Sequence, residues 1–433
     1  MANEMRIRRD RSSLSNGAMF GRRRRGLQPW KLMLWLAAMG FMGLVIWQFD
    51  KIQPQVLALV GTAPTATPPA IFFAQAADLA YWHGDLDTAI TNYRLAAKQQ
   101  QTNADILYEL ARMLIYRSYA DRRNAPDIAE AVEWANKAVE SNPNSSRAYT
   151  IQCFALITDE KTEDAVRSCI RATDLNPNES EAYAYLSSAY FELGRYDTSL
   201  DAAQKAVELN DKSIDGHTNL GLALRYKGRN TAALEEYKKA ADINPQLEFP
   251  YFNLAYFAIG LSTPAGYEIA ITAYNRVLSM NKRSVKAYTR LCETYYRMGE
   301  TNPARDNCEN AITLDPNFTT AYKWLGQVLY TRRNYEDAIT NFKTCADQEL
   351  ADTTLKPEDR FSECWYLRGL AFFLLGQCDQ ANAIFNDLLT WTRDKNAIEK
   401  TNIGIRKCAD AYQGRYTTPT PVPTPTEPPE PIQ

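Results

Sequence analysis

Cysteine has the most telling spacing in this chain. Cys153 and Cys169 bracket CFALITDEKTEDAVRSC, and Cys292 and Cys308 bracket CETYYRMGETNPARDNC; each pair is 16 residues apart, with almost nothing else shared between the two segments. Cys345, Cys364, Cys378 and Cys408 bring the total to eight. Three chemistries use cysteine pairs. A structural zinc site wants its ligands two to four residues apart, often with histidine, and a dithiol redox couple wants CxxC. The chain has no CxxC, and its two histidines, His83 and His217, lie far from these pairs. An even number of cysteines favours disulfides formed in an oxidising compartment, with buried free thiols as the alternative. Elsewhere, no glycine-rich phosphate loop, HExxH or GxSxG is present, and the acidic turn TDEKTED (158–164) reads as solvated surface. The expectation is therefore a protein that is not an enzyme, with no cofactor and no metal.

The elements that position these residues follow from composition and period. The chain has 433 residues, 45% hydrophobic and 23% charged, which is globular rather than disordered. Residues 1–29 are a basic tail, and residues 30–49, WKLMLWLAAMGFMGLVIWQF, are long and apolar enough for a transmembrane helix. Arginines precede this segment, so the positive-inside rule expects a single-pass cell-membrane protein with a cytoplasmic N-terminus and the rest extracytoplasmic; a cleavable signal peptide is the alternative. Residues 1–31 hold nine of the 49 basic and two of the 51 acidic residues, leaving a net charge of −9 beyond them. A body that acidic does not suit nucleic acid. Residues 50–69 form a linker, and residues 414–433 a Pro/Thr-rich disordered tail of polyproline character.

Between linker and tail the sequence repeats every 34 residues. SEAYAYLSSAYFELGRYDTSLDAAQKAVELN (180–210) is followed in register by IDGHTNLGLALRYKGRNTAALEEYKKAADINP (214–245). Apolar residues recur at three- and four-residue steps on either side of a glycine turn, so each copy is a pair of amphipathic helices. Neither helix can bury its apolar face alone, and the copies must stack into a solenoid. Leu220, Gly221, Gly228, Ala233, Tyr237, Ala240 and Pro245 in one copy, and Leu325, Gly326, Tyr335, Ala338 and Phe342 in another, resemble the tetratricopeptide repeat. Nine copies span residues 70–395, and a capping helix spans 396–413. The resemblance implies an all-α helix-turn-helix solenoid, a right-handed superhelix whose first helices line a concave groove holding a protein or peptide. The layout of anchor and repeats resembles membrane-anchored bacterial members of the family.

In that register Cys153 and Cys292 take the small eighth position of the first helix, and Cys169 and Cys308 the twenty-fourth position, on the second. These heights meet in an antiparallel hairpin, and Cys345 with Cys364 and Cys378 with Cys408 meet likewise between neighbouring helices, so four staples are expected. The groove positions of the family carry Tyr226, Phe252, Tyr256, Tyr296 and Arg297, anchor types typical of interfaces. Asn253, Lys286 and Arg290 match three of the five residues with which some members clamp a C-terminal carboxylate; Thr218 and Leu222 replace the other two. Two functions are expected from this. One is a membrane-tethered extracytoplasmic scaffold or adaptor holding a protein or peptide partner, in envelope assembly or secretion. The other is a glycan-interacting cell-wall or envelope protein.

Overall fold

The computed structural model describes Met33 and residues 68–119, 124 and 126–414. The chain divides after Pro68 into two units, and the second, Pro69–Gln433, carries the repeats. Its helices come in hairpins: α1 (Ala70–Trp82) with α2 (Leu86–Gln99), α3 (Ala104–Ser118) with α4 (Pro126–Ser141), α5 (Ser146–Thr158) with α6 (Thr162–Leu175), α7 (Ser180–Glu192) with α8 (Tyr196–Leu209), and α9 (Ile214–Tyr226) with α10 (Asn230–Ile243). Next come α11 (Glu248–Gly260) with α12 (Pro264–Met280), α13 (Val285–Met298) with α14 (Thr301–Leu314), α15 (Thr319–Thr331) with α16 (Tyr335–Ala351), α17 (Glu363–Leu374) with α18 (Cys378–Trp391), and a last helix, α19 (Lys395–Tyr412). A 3-10 turn, Pro357–Asp359, precedes α17. No strand occurs among the described residues, and the architecture is an all-α helical solenoid.

Short-range chemistry sets each junction. Between repeats, Asn142, Asn176, Asn210, Asn244, Asn281 and Asp315 each accept, through the side chain, the N–H two residues on. This Asx turn ends one helix and redirects the chain into the next. Within a hairpin, Gly84, Gly194, Gly228, Gly299 and Gly376 take a left-handed φ that L side chains avoid. Buried alanines, such as Ala131, Ala135 and Ala138 on α4 or Ala233, Ala240 and Ala241 on α10, let the helices approach closely.

The eighth and twenty-fourth positions face one another inside each hairpin, and their occupants are complementary. A Cβ added to Gly221 would lie 3.0 Å from the Tyr237 ring, one on Gly326 would lie 2.6 Å from Phe342, and one on Gly369 would collide with Phe385. In the third and seventh hairpins the same two positions hold cysteines, joined as Cys153–Cys169 and Cys292–Cys308 with Cα atoms 5.3 Å apart in each. A ring lying over a glycine is there replaced by a covalent bridge. Cys345–Cys364 ties α16 to α17, and Cys378–Cys408 ties α18 to α19, so the last hairpin is fastened on both sides.

One expectation needs correction. Among the described residues no helix is long and apolar enough to cross a membrane; the expected span at 30–49 lies outside the described residues, Met33 apart. The reason is plain in α19, which at 18 residues carries Lys395, Glu399, Lys400, Arg406, Lys407 and Asp410. In α19 as in its neighbours, apolar side chains form one stripe that packs against other helices. The single-pass cell-membrane location with exported repeats is thus contradicted.

Candidate functional site

Positions 2, 5, 6 and 9 of a first helix fall on one face, at the i, i+3, i+4, i+7 spacing. In α7, α9, α11 and α13 these positions bring Tyr185, Ser188, Asp215, Thr218, Asn219, Phe249, Phe252, Asn253, Tyr256, Lys286 and Arg290 around a cleft of about 360 Å³. Phe154 from α5, Tyr274 from α12, and Tyr116 and Tyr119 at the end of α3 complete the wall. The superhelix has turned far enough here for the second repeat to meet the fifth, sixth and seventh.

Much of the aromatic surface is used internally. Phe154 stacks on Tyr185 with ring centroids 4.1 Å apart, and Tyr116 on Phe249 at 4.4 Å. Asp215 Oδ2 accepts from Tyr116 Oη at 2.6 Å and from Tyr185 Oη at 2.8 Å. Burial pushes the Asp215 carboxyl above the usual aspartate range, outweighing the two hydroxyls and Arg112, which pull it down. Arg112 lies over the rings of Tyr81, Tyr108 and Tyr116 and pairs with Glu109.

The sequence-derived residues divide into three groups. Phe252, Asn253, Tyr256, Lys286 and Arg290 line the cleft. Tyr226, at position 13 where α9 ends, is exposed and stacks on Tyr196 at 3.4 Å. Tyr296 and Arg297, at positions 12 and 13 of α13, lie further along the solenoid against Trp324. Five of the eight residues therefore line this cleft, and Tyr226, Tyr296 and Arg297 lie outside it. The cations are also engaged within the chain. Arg290 donates to Glu293 at 2.6 Å and Arg297 donates to it at 2.9 and 3.1 Å, while Lys286 Nζ donates to the Tyr119 carbonyl and sits 4.6 Å from the Phe252 ring centre. The expected guanidinium donors for a partner's carboxylate are occupied by Glu293.

What the cleft does offer is an amide. Asn219 donates to the Ala184 carbonyl at 3.0 Å and accepts from Ser188 at 2.7 Å. Asn253 holds the same position one repeat later, but Leu222 stands where Ser188 would be, and the Asn253 carboxamide has no hydrogen-bond partner among the described residues. Asn253 is half-buried, while Thr218 Oγ1 close by in the cleft lining is buried without a partner. Sequence reading missed Asp215, Tyr185, Phe249 and Asn219; the four-position face of the first helices was the signal that would have found them.

Comparison with known proteins agrees with the hairpin geometry. Residues 155–214 and 363–390 match the tetratricopeptide repeat, and residues 221–260 match the TPR repeat. The chain is 30% identical over 90 residues to small glutamine-rich tetratricopeptide repeat-containing protein 2 of Mycosarcoma maydis, covering 21% of this chain and 26% of that protein. It is 29% identical over 77 residues to the Hsp70-Hsp90 organizing protein of Triticum aestivum, covering 18% of this chain and 13% of that protein. In both cases the match spans well under a third of the relative. A chain of the APC/C hetero-tetramer Cut9-Hcn1 superposes with a TM-score of 0.49 at 13% identity, over 75% of this chain and 60% of that one. On these three matches, residues 155–214, 221–260 and 363–390 of this chain carry tetratricopeptide repeats.

Proposed function

We propose that the chain is a non-catalytic scaffold that holds a protein partner by a short segment laid in the concave cleft. The observation that carries this reading is the open amide of Asn253 beside the unpartnered Thr218 hydroxyl, set among aromatic rings. A buried polar group without a partner, here the Thr218 hydroxyl, costs about 1–3 kcal/mol, and a peptide backbone supplies a partner to it and to the half-buried Asn253 amide. Apolar side chains of the segment then cover Phe252 and Tyr256, the latter 64% exposed. A terminal carboxylate is not needed, because Glu293 already neutralises Arg290. Sugar stacking is disfavoured in the cleft, because Phe154, Tyr185, Tyr116 and Phe249 cover one another's faces.

The test is display selection of random peptides on the purified chain, then titration of the winners against Asn253→Ala and Thr218→Val. Asn253→Ala should weaken the selected apolar peptides about tenfold, the scale of one to two lost hydrogen bonds. Failure to enrich any sequence, or equal binding by wild type and Asn253→Ala, would refute the assignment.

A further inference from the structure

The cleft is closed on one side by a part of the chain remote in sequence. Tyr116, at the end of α3, stacks on Phe249 and donates to Asp215, 99 residues away. Lys286 reaches back 167 residues to the Tyr119 carbonyl. Gly84, in the turn of the first hairpin, lies against the Gln246 backbone, so closely that an added Cβ would collide with its carbonyl oxygen. Leu247 beside it is buried. A second cavity of about 420 Å³ adjoins this contact, lined by Gly84, Leu247 and Glu248 among others. Tyr116, Tyr119, Phe249, Phe252 and Lys286 thus line both cavities.

We infer that this contact is an intramolecular latch that keeps the peptide cleft short. Every bond in it joins the first two hairpins to the fifth, sixth or seventh and none lies within a hairpin, so it can break while each hairpin stays folded. A solenoid whose repeats contact only neighbours bends as a spring, and the latch fixes that spring in its wound state. When it opens, the two cavities become one channel able to take an extended segment. The occupant competes with Tyr116 for the face of Phe249 and with Lys286 for that of Phe252. This deepens the peptide-scaffold reading by naming the regulation of the same site, and the latch itself is testable without any ligand.

Two glycines make a matched pair for that test. Gly84 and Gly228 occupy the same turn position, with φ of +81° and +72°, so alanine carries the same local strain at both. Only Gly84 meets another part of the chain; a Cβ on Gly228 has nothing within 4 Å. The full chain as wild type, Gly84→Ala, Gly228→Ala and Lys286→Ala should be compared by amide hydrogen exchange and small-angle scattering. Gly84→Ala and Lys286→Ala should speed exchange about tenfold or more in residues 111–119 and 247–256 and enlarge the radius of gyration, while Gly228→Ala stays within about twofold of wild type in those segments. Identical exchange and scattering for Gly84→Ala and Gly228→Ala, or no change in Lys286→Ala, would overturn the latch. If Gly84→Ala fails to fold, Lys286→Ala decides the question alone. A negative result here leaves the peptide-cleft reading standing, since display selection decides that separately.

Discussion

The Cys292–Cys308 bridge should be worth about 3 kcal/mol, and the loss should be local. The bridge closes a 16-residue loop, for which the chain-entropy argument gives roughly 3 kcal/mol at room temperature. That corresponds to about 150-fold in the opening equilibrium of the seventh hairpin. Because each repeat touches chiefly its neighbours, α13 and α14 should soften while α7 and α8 do not. The fourth hairpin is the internal reference: it holds Ser187 and Ala203 at the equivalent positions, with Ser187 bonded to Ser199 at 3.0 Å. Three proteins separate the contributions. Wild type refolded with reductant keeps the sulfur atoms and loses this cross-link together with the other three, so it sets an upper limit on the effect. Cys292→Ala/Cys308→Ala also loses their packing in a fully buried site. Cys292→Gly/Cys308→Tyr transplants the pair that Gly221 and Tyr237 form in the fifth hairpin, and should recover part of the packing without the bond. Hydrogen exchange resolved by helix is the assay. Protection of Thr301–Leu314 that differs by less than about threefold between oxidised and reduced protein would refute the reasoning.

Two further outcomes can be checked on the folded chain. Gly326→Ala should lower stability by about 1–2 kcal/mol in chemical denaturation, because the added methyl meets Phe342 at 2.6 Å and overpacking outweighs the helix-propensity gain of about 1 kcal/mol; a more stable variant would show that the ring yields freely. Asp215 should make an unusual contribution to pH dependence. Its carboxyl is held above the usual range in the folded state by burial, so its contribution favours folding fully below the ordinary aspartate pKa and is lost as pH rises through the raised value. Asp215→Asn keeps an acceptor for Tyr116 and Tyr185 and removes that loss, flattening the melting temperature above the ordinary aspartate pKa relative to wild type. Parallel curves for the two proteins would mean that Arg112 and the tyrosine hydroxyls already balance the charge.

The helical solenoid was legible because its signals are short-ranged. A 34-residue period, a left-handed glycine in the turn and alanines on the second helix all act within one hairpin or between adjacent ones, where sequence distance and spatial distance nearly coincide. The cysteine pairs could be read for the same reason, each closing a loop of 16 to 30 residues. The engagement of Arg290 and Arg297 by Glu293 was also within reach, since the three are spaced three and four apart on one helix, yet a groove read by position alone passed over it. The cleft's closure was not legible. It depends on how far the superhelix winds per repeat, a small rotation summed over several copies, and only that sum brings Tyr116 to Asp215 across 99 residues. Asn253 makes the same point at one side chain. It is the same residue type at the same position as Asn219, and what leaves its amide open is a neighbour on the preceding helix, Leu222 where the earlier repeat has Ser188. Local chemistry wrote the repeat; the stacking geometry decided which of its polar groups remain for a partner.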